Sequence, residues 1–139
     1  MIIDSSALVA IFLDEPGADA LLAAVAADDG PKISAGTLLE TGIVLSHRKG
    51  RPMQHALELF LSKLGVQVVA FTEEHCSRAI RAWWIFGKTR SAAKLNFGDC
   101  ISYATAELAD EPLLCVGDDF ARTDLPIVKG DGTKAGQGR

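Results

Sequence analysis

Five carboxylates stand at positions from which they could act together: Asp4, Glu40, Asp99, Asp118 and Asp119. Asp4 closes the short apolar run Met1-Ile2-Ile3, which suits the end of a buried strand. Asp118 and Asp119 follow the apolar run Pro112–Val116. Asp99 falls in the first turn of the helix expected from Asn96, and Glu40 in a helix that follows the strand candidate Lys32-Ile33-Ser34. Each acid has a plain structural reading. Asp4 suits a helix cap, Thr37-Leu38-Leu39-Glu40 and Asn96-Phe97-Gly98-Asp99 match capping boxes, and Gly117-Asp118-Asp119 suits an exposed turn. Together they point further. Glu40 lies between Leu38-Leu39 and Ile43-Val44-Leu45, where an unpaired carboxylate is costly. Gathered carboxylates repel unless a cation joins them, and no Lys or Arg lies at these strand ends. A hard divalent cation, Mg²⁺ or Mn²⁺, would meet that need and suits phosphodiester hydrolysis without a Ser, Cys or His nucleophile. His47, His55 and His75 read as surface residues.

The elements that would position these acids alternate. Apolar or β-branched runs at Met1–Asp4, Lys32–Ser34, Val66–Phe71, Pro112–Val116 and Leu125–Val128 read as strands. Between them, helical spacing appears at Ala7–Leu13, Ala18–Val25, Leu38–Leu45, Leu57–Leu64, Thr72–Phe86 and Asn96–Leu108. Leu38–Leu45 is nearly apolar all round and should be buried. Cys76, Ala79, Ile80, Trp83 and Trp84 form the expected apolar face of their helix. The alternation predicts an α/β fold with a central parallel sheet flanked by helices, whose ligands bind beyond the carboxyl ends of the strands. Residues 1–129 form the expected single domain, and 130–139, rich in Gly, the expected flexible tail.

The 139 residues are 48 % hydrophobic and 23 % charged, enough for one real core. A membrane span is not expected, nor is a signal segment at Met1-Ile2-Ile3-Asp4, so the expected location is the cytoplasm. The net charge of −4 runs mildly against nucleic-acid binding, but a site that gathers acids makes any chain acidic. Cys76, Cys100 and Cys115 lack metal-finger spacing and read as buried, reduced thiols.

Four segments carry a family resemblance. Met1-Ile2-Ile3-Asp4-Ser5-Ser6-Ala7-Leu8, Ser34-Ala35-Gly36-Thr37-Leu38-Leu39-Glu40, Leu95-Asn96-Phe97-Gly98-Asp99-Cys100 and Val116-Gly117-Asp118-Asp119-Phe120 resemble, in order, the four acidic motifs of PIN-domain proteins. Over about residues 1–128 the chain looks most like VapC-type toxins of type II toxin–antitoxin systems. The resemblance implies a Mg²⁺- or Mn²⁺-dependent endoribonuclease, a cognate VapB-type antitoxin that covers the active site, and a homodimer. By that analogy Asp4 and Asp99 are the firmest metal ligands, and Glu40 completes the cluster directly or through water. Ser6 and Asn96 support it, and either Asp118 or Asp119 faces the site, with Asp118 favoured as nearer the strand end.

Arg48, Lys49 and Arg51, with Lys88, Arg90 and Lys94, are candidates for holding RNA phosphates, or else ordinary solvated loops. Trp83 and Trp84 could stack on bases but better suit a core or a dimer interface. The main alternative is a PIN-like module that binds RNA or protein without cutting, against which the full set of acids argues. A phosphotransfer receiver would need an Asp after Val66–Phe71, and a haloacid-type phosphatase a second Asp where Ser6 stands.

Overall fold

A computed structural model describes residues 1–128 and the backbone of Lys134–Ala135. The strands are β1 (Ile2–Ile3), β2 (Lys32–Ser34), β3 (Gln67–Val69), β4 (Leu113–Leu114), β5 (Ile127–Val128) and β6 (Lys134–Ala135). The helices are α1 (Ser5–Phe12), α2 (Ala18–Ala27), α3 (Ala35–Lys49), α4 (Gln54–Lys63), α5 (Glu73–Phe86) and α6 (Phe97–Ala109), with a 3-10 turn at Phe120–Arg122. The sheet runs in the order β3-β2-β1-β4-β5-β6. The first five strands are parallel, and β6 lies antiparallel to β5. The predicted α/β architecture is therefore the observed one. Of the segment expected as a tail, the rest lies outside the described residues.

Side chains alternate across a strand, so neighbouring residues feed opposite faces. Ile3, Ile33, Leu114 and Val128 pack with Leu8, Val25, Leu45 and Leu57 of α1–α4. Ile2, Leu113 and Ile127 pack with Ala82, Tyr103 and Ala106 of α5 and α6. Both faces are covered, as a parallel sheet requires. Leu114 sits on the central strand β4 with no exposed surface. Leu114→Ala is expected to cost about 3 kcal/mol of stability, read by chemical denaturation at unchanged helix content.

Several local expectations are corrected. No capping box forms at Thr37-Glu40: Ser34 is the N-cap of α3, its Oγ accepting from the Gly36 amide at 3.2 Å, because the helix follows β2 without a loop. Thr37 is instead buried inside that helix. The α3 helix is not buried all round, since Leu39 is 66 % and Ile43 63 % exposed. The inward face of α5 is Ala79, Ala82 and Phe86, which leaves Cys76, Ile80, Trp83 and Trp84 exposed. Val66–Phe71 shortens to Gln67–Val69 because β3 is a sheet edge with one neighbour.

Candidate active site

Strand β1 sits between β2 and β4, where the chain order of the sheet reverses, and this is the crevice in which open sheets bind ligands. Asp4 emerges there, 1 % exposed. It caps α1, its Oδ2 accepting from the Ser6 amide at 3.0 Å and the Ser6 hydroxyl at 2.6 Å. The Ser102 hydroxyl donates to its Oδ1 at 2.5 Å. A carboxylate offers about four lone-pair sites, so three bonds fix its orientation and leave one free. The Val116 amide donates to Ser6 Oγ at 3.0 Å, which ties the end of β4 to the same hydroxyl. Ser102 also lies 3.2 Å from the Thr37 hydroxyl of α3. Sequence reasoning missed both Ser102 and Thr37 as site residues. The available signal was spacing: Ser102 stands three residues after Asp99, on the same face of α6.

Asp99 is the third residue of α6, and its capping box with Asn96 is formed as the sequence suggested. The Asn96 amide donates to Asp99 Oδ2 at 3.0 Å, and the Asp99 amide to Asn96 Oδ1 at 2.9 Å. The cap does not exclude a place in the acidic cluster. Burial first, then the charges of Asp4, Asp119 and Glu40, push the Asp99 carboxyl up to about 6, although the Asn96 amide favours its charged form. Asp4, Asp119 and Glu40 are the acids whose charges add to the burial of Asp99. Asp119 immediately precedes the 3-10 turn at Phe120–Arg122, and Asp118 stands before it. Both are exposed. Glu40, in the second turn of α3, lies against Gly98 of α6.

The remaining candidates are spread more widely. Lys88, Arg90 and Lys94 are exposed on the loop that enters α6 beside Asn96. The Arg90 guanidinium stacks 3.4 Å above the Trp84 ring. Arg48 and Lys49 end α3, about 12 Å along its axis from Glu40 at 1.5 Å per residue, and Arg51 lies beyond. His47 and His55 are exposed, while His75 Nδ1 lies 2.7 Å from the Thr72 hydroxyl at the start of α5. Burial, with the nearby Asp charges, raises the thiols of Cys100 to about 11 and Cys115 to about 12, so neither is a ready nucleophile.

The donor set fits a hard divalent cation. The ion pairs of the described residues engage Asp28, Glu74, Glu107 and Glu111, and none neutralises Asp4, Glu40, Asp99 or Asp119. Among the described residues no three His, Cys, Asp or Glu side chains stand close enough together to hold a metal ion between them. Mg²⁺ needs only one or two carboxylates, because it retains several waters. A pH dependence follows from Asp99. The cation competes with the proton on this carboxyl, so Mn²⁺ affinity is expected to fall about tenfold per pH unit below about 6. Without metal the sign for stability is opposite. A carboxyl raised above its unfolded value holds its proton more tightly when folded, so the metal-free protein gains stability as pH falls from about 6 toward 3.8. Calorimetric Mn²⁺ titrations and metal-free melts between pH 4 and 8 read both slopes.

The structure is a parallel α/β sheet with acidic residues on the end of β1, on α3, on α6 and in the turn after β4, around its switch point. The PIN domain family matches residues 1–125. Ribonuclease VapC36 of Mycobacterium tuberculosis is 46 % identical over 126 residues, 90 % of this chain and 91 % of that protein. Ribonuclease VapC of Mycolicibacterium smegmatis is 44 % identical over 128 residues, 92 % of this chain and 99 % of that protein. The chain therefore belongs to the PIN domain family, among the VapC ribonucleases. The solved structure of M. tuberculosis VapC20, a sarcin-ricin loop cleaving toxin, shares the fold with a TM-score of 0.67 at 20 % identity, covering 86 % of this chain and 92 % of that one. So does a toxin–antitoxin complex from Klebsiella pneumoniae, at 0.66 and 21 %, covering 86 % and 89 %.

Proposed function

We propose that this chain is a Mg²⁺- or Mn²⁺-dependent endoribonuclease, the toxin of a VapBC pair, acting in the cytoplasm. One observation carries the reading. Asp4, held by Ser6 and Ser102, and Asp99, held by Asn96 with the Glu40 carboxylate against the adjoining Gly98, meet at the switch point of the sheet with no ion pair among the described residues to neutralise them. Asp4 and Asp99 hold the metal, and Glu40 and Asp119 complete the acidic mouth. Either Asp118 or Asp119 can face the site, and the contribution of the Asp119 charge at Asp99 supports Asp119. Ser6 and Ser102 aim Asp4, and Asn96 aims Asp99. When bound, the metal supplies Lewis-acid charge for the phosphoryl oxygens and acidifies water. Lys88 and Lys94, on the loop beside the mouth, hold flanking phosphates and give affinity without base choice.

The partners follow from the family and from the surface. Relatives are named VapC, and one fold neighbour is a toxin–antitoxin complex, which supports a VapB-type antitoxin. An apolar groove of about 700 Å³ between α3 and α4, lined by Leu38, Leu39, Ile43, Met53 and Leu57, borders the Glu40 helix and suits such a partner. Exposed Ile80, Trp83 and Trp84 on α5 suit a second copy in a homodimer. No described helix is long and apolar enough to cross a membrane. The test is incubation of antitoxin-free protein with total cellular RNA, with Mg²⁺ or with EDTA, and mapping of fragment ends. Discrete Mg²⁺-dependent ends support the reading. RNA left intact in every lane by folded protein moves it to a binding module that does not cut.

A further inference from the structure

Gly98 is the second residue of α6, buried, in the first turn of the helix. It is not among the glycines with positive φ, which are Gly17, Gly50, Gly65 and Gly117, so backbone conformation does not demand it. Glycine is also a poorer helix former than alanine. The demand comes from a neighbour. A Cβ built on Gly98 would fall 2.6 Å from Cδ and Oε1 of Glu40 and closer still to Oε2. Hydrogen bonds aim Asp4 and Asp99 at this mouth. Glu40 arrives from another helix, and its carboxylate occupies the place a Cβ of Gly98 would take, one residue from Asp99.

We propose that Gly98 is a positioning residue for the metal site: the missing side chain is the seat in which the Glu40 carboxylate rests beside Asp99. The inference rests on the metal-nuclease reading of the same acids. A methyl group at this position displaces the end of a flexible side chain, not backbone, so the fold survives while the carboxylate moves away. Glycines elsewhere behave differently. A Cβ on Gly42 of α3 would meet Leu57 Cδ1 at 3.7 Å, an ordinary contact, which makes Gly42→Ala a matched control.

The test is Mn²⁺ binding by calorimetry on the purified, antitoxin-free chain, with a melting curve for each variant. Gly98→Ala is expected to weaken Mn²⁺ binding by about tenfold or more at an unchanged melting temperature, as loss of a supporting group does. Gly42→Ala is expected to bind as the parent does. In a Glu40→Ala background, adding Gly98→Ala is expected to cost no further affinity and to raise the melting temperature, because the clash is gone and alanine favours the helix. A crystal structure of Gly98→Ala is expected to show the Glu40 carboxylate moved from α6. The proposal is overturned if Gly98→Ala binds Mn²⁺ as the parent does, or if it weakens binding equally in both backgrounds. If Gly98→Ala alone does not fold, the double variant decides, and affinity below that of Glu40→Ala overturns the proposal. A parent protein that binds no Mn²⁺ overturns the metal-nuclease reading itself, and this inference with it.

Discussion

Asp4→Asn is expected to lower RNA cleavage by several kcal/mol of barrier, on the order of 10³-fold, while the protein stays folded. The two side chains have the same shape. The asparagine oxygen still accepts from the Ser6 amide, and the hydroxyls of Ser6 and Ser102, which can donate or accept, turn to suit the new amide. What disappears is the charge at the mouth. In the metal-free protein that charge only repels Asp99, so the melting temperature is expected to hold or rise. Cleavage rates beside a thermal melt separate the two effects. Activity within about tenfold of the parent would remove Asp4 from the site; lost activity with a lost fold would make it structural.

The second large effect is that of the metal on the fold. A cation that binds only the folded chain at about 100 times its dissociation constant stabilises it by about 2.7 kcal/mol, roughly 5–10 °C in melting temperature for a domain of this size. Mg²⁺ or Mn²⁺ is expected to give that shift, EDTA to reverse it, and Asp4→Asn and Asp99→Asn to abolish it. Cleavage follows the same pattern, absent in EDTA and restored by Mn²⁺. A melting temperature indifferent to Mg²⁺, together with EDTA-resistant cleavage, would point to chemistry at other residues.

The parts of this site that could be read in the sequence are those fixed by short-range patterns. Asp4 follows a two-residue apolar strand and caps the next helix, and Asn96 with Asp99 forms a capping box, so strand end and helix start mark both acids. The rest depends on packing between distant segments. Ser102 matters because α6 lies over β1, which brings its hydroxyl to a carboxylate 98 residues away in sequence. Which of Asp118 and Asp119 faces the site turns on the backbone path into the 3-10 turn at Phe120–Arg122, which two adjacent acids do not announce. Glu40 stood out as a charge in an apolar run, but Leu39 and Ile43 beside it are exposed and Glu40 is only half-buried, so the cost of burying it is not what places it; its seat on Gly98 was not legible. Leu39 and Ile43 read as core because their helix is apolar all round. They are exposed because one side of α3 faces the open groove toward α4.

If Asp4, Asp99, Glu40 and Asp119 form one metal site, anomalous diffraction from crystals of the antitoxin-free protein soaked in Mn²⁺ will show it. The expected result is a manganese peak within coordinating distance, about 2.0–2.3 Å, of Asp4 and Asp99, with Glu40 and Asp119 in direct or water-bridged contact. Manganese found away from these four residues, or absent from crystals of a protein that still cleaves RNA, would contradict a shared site.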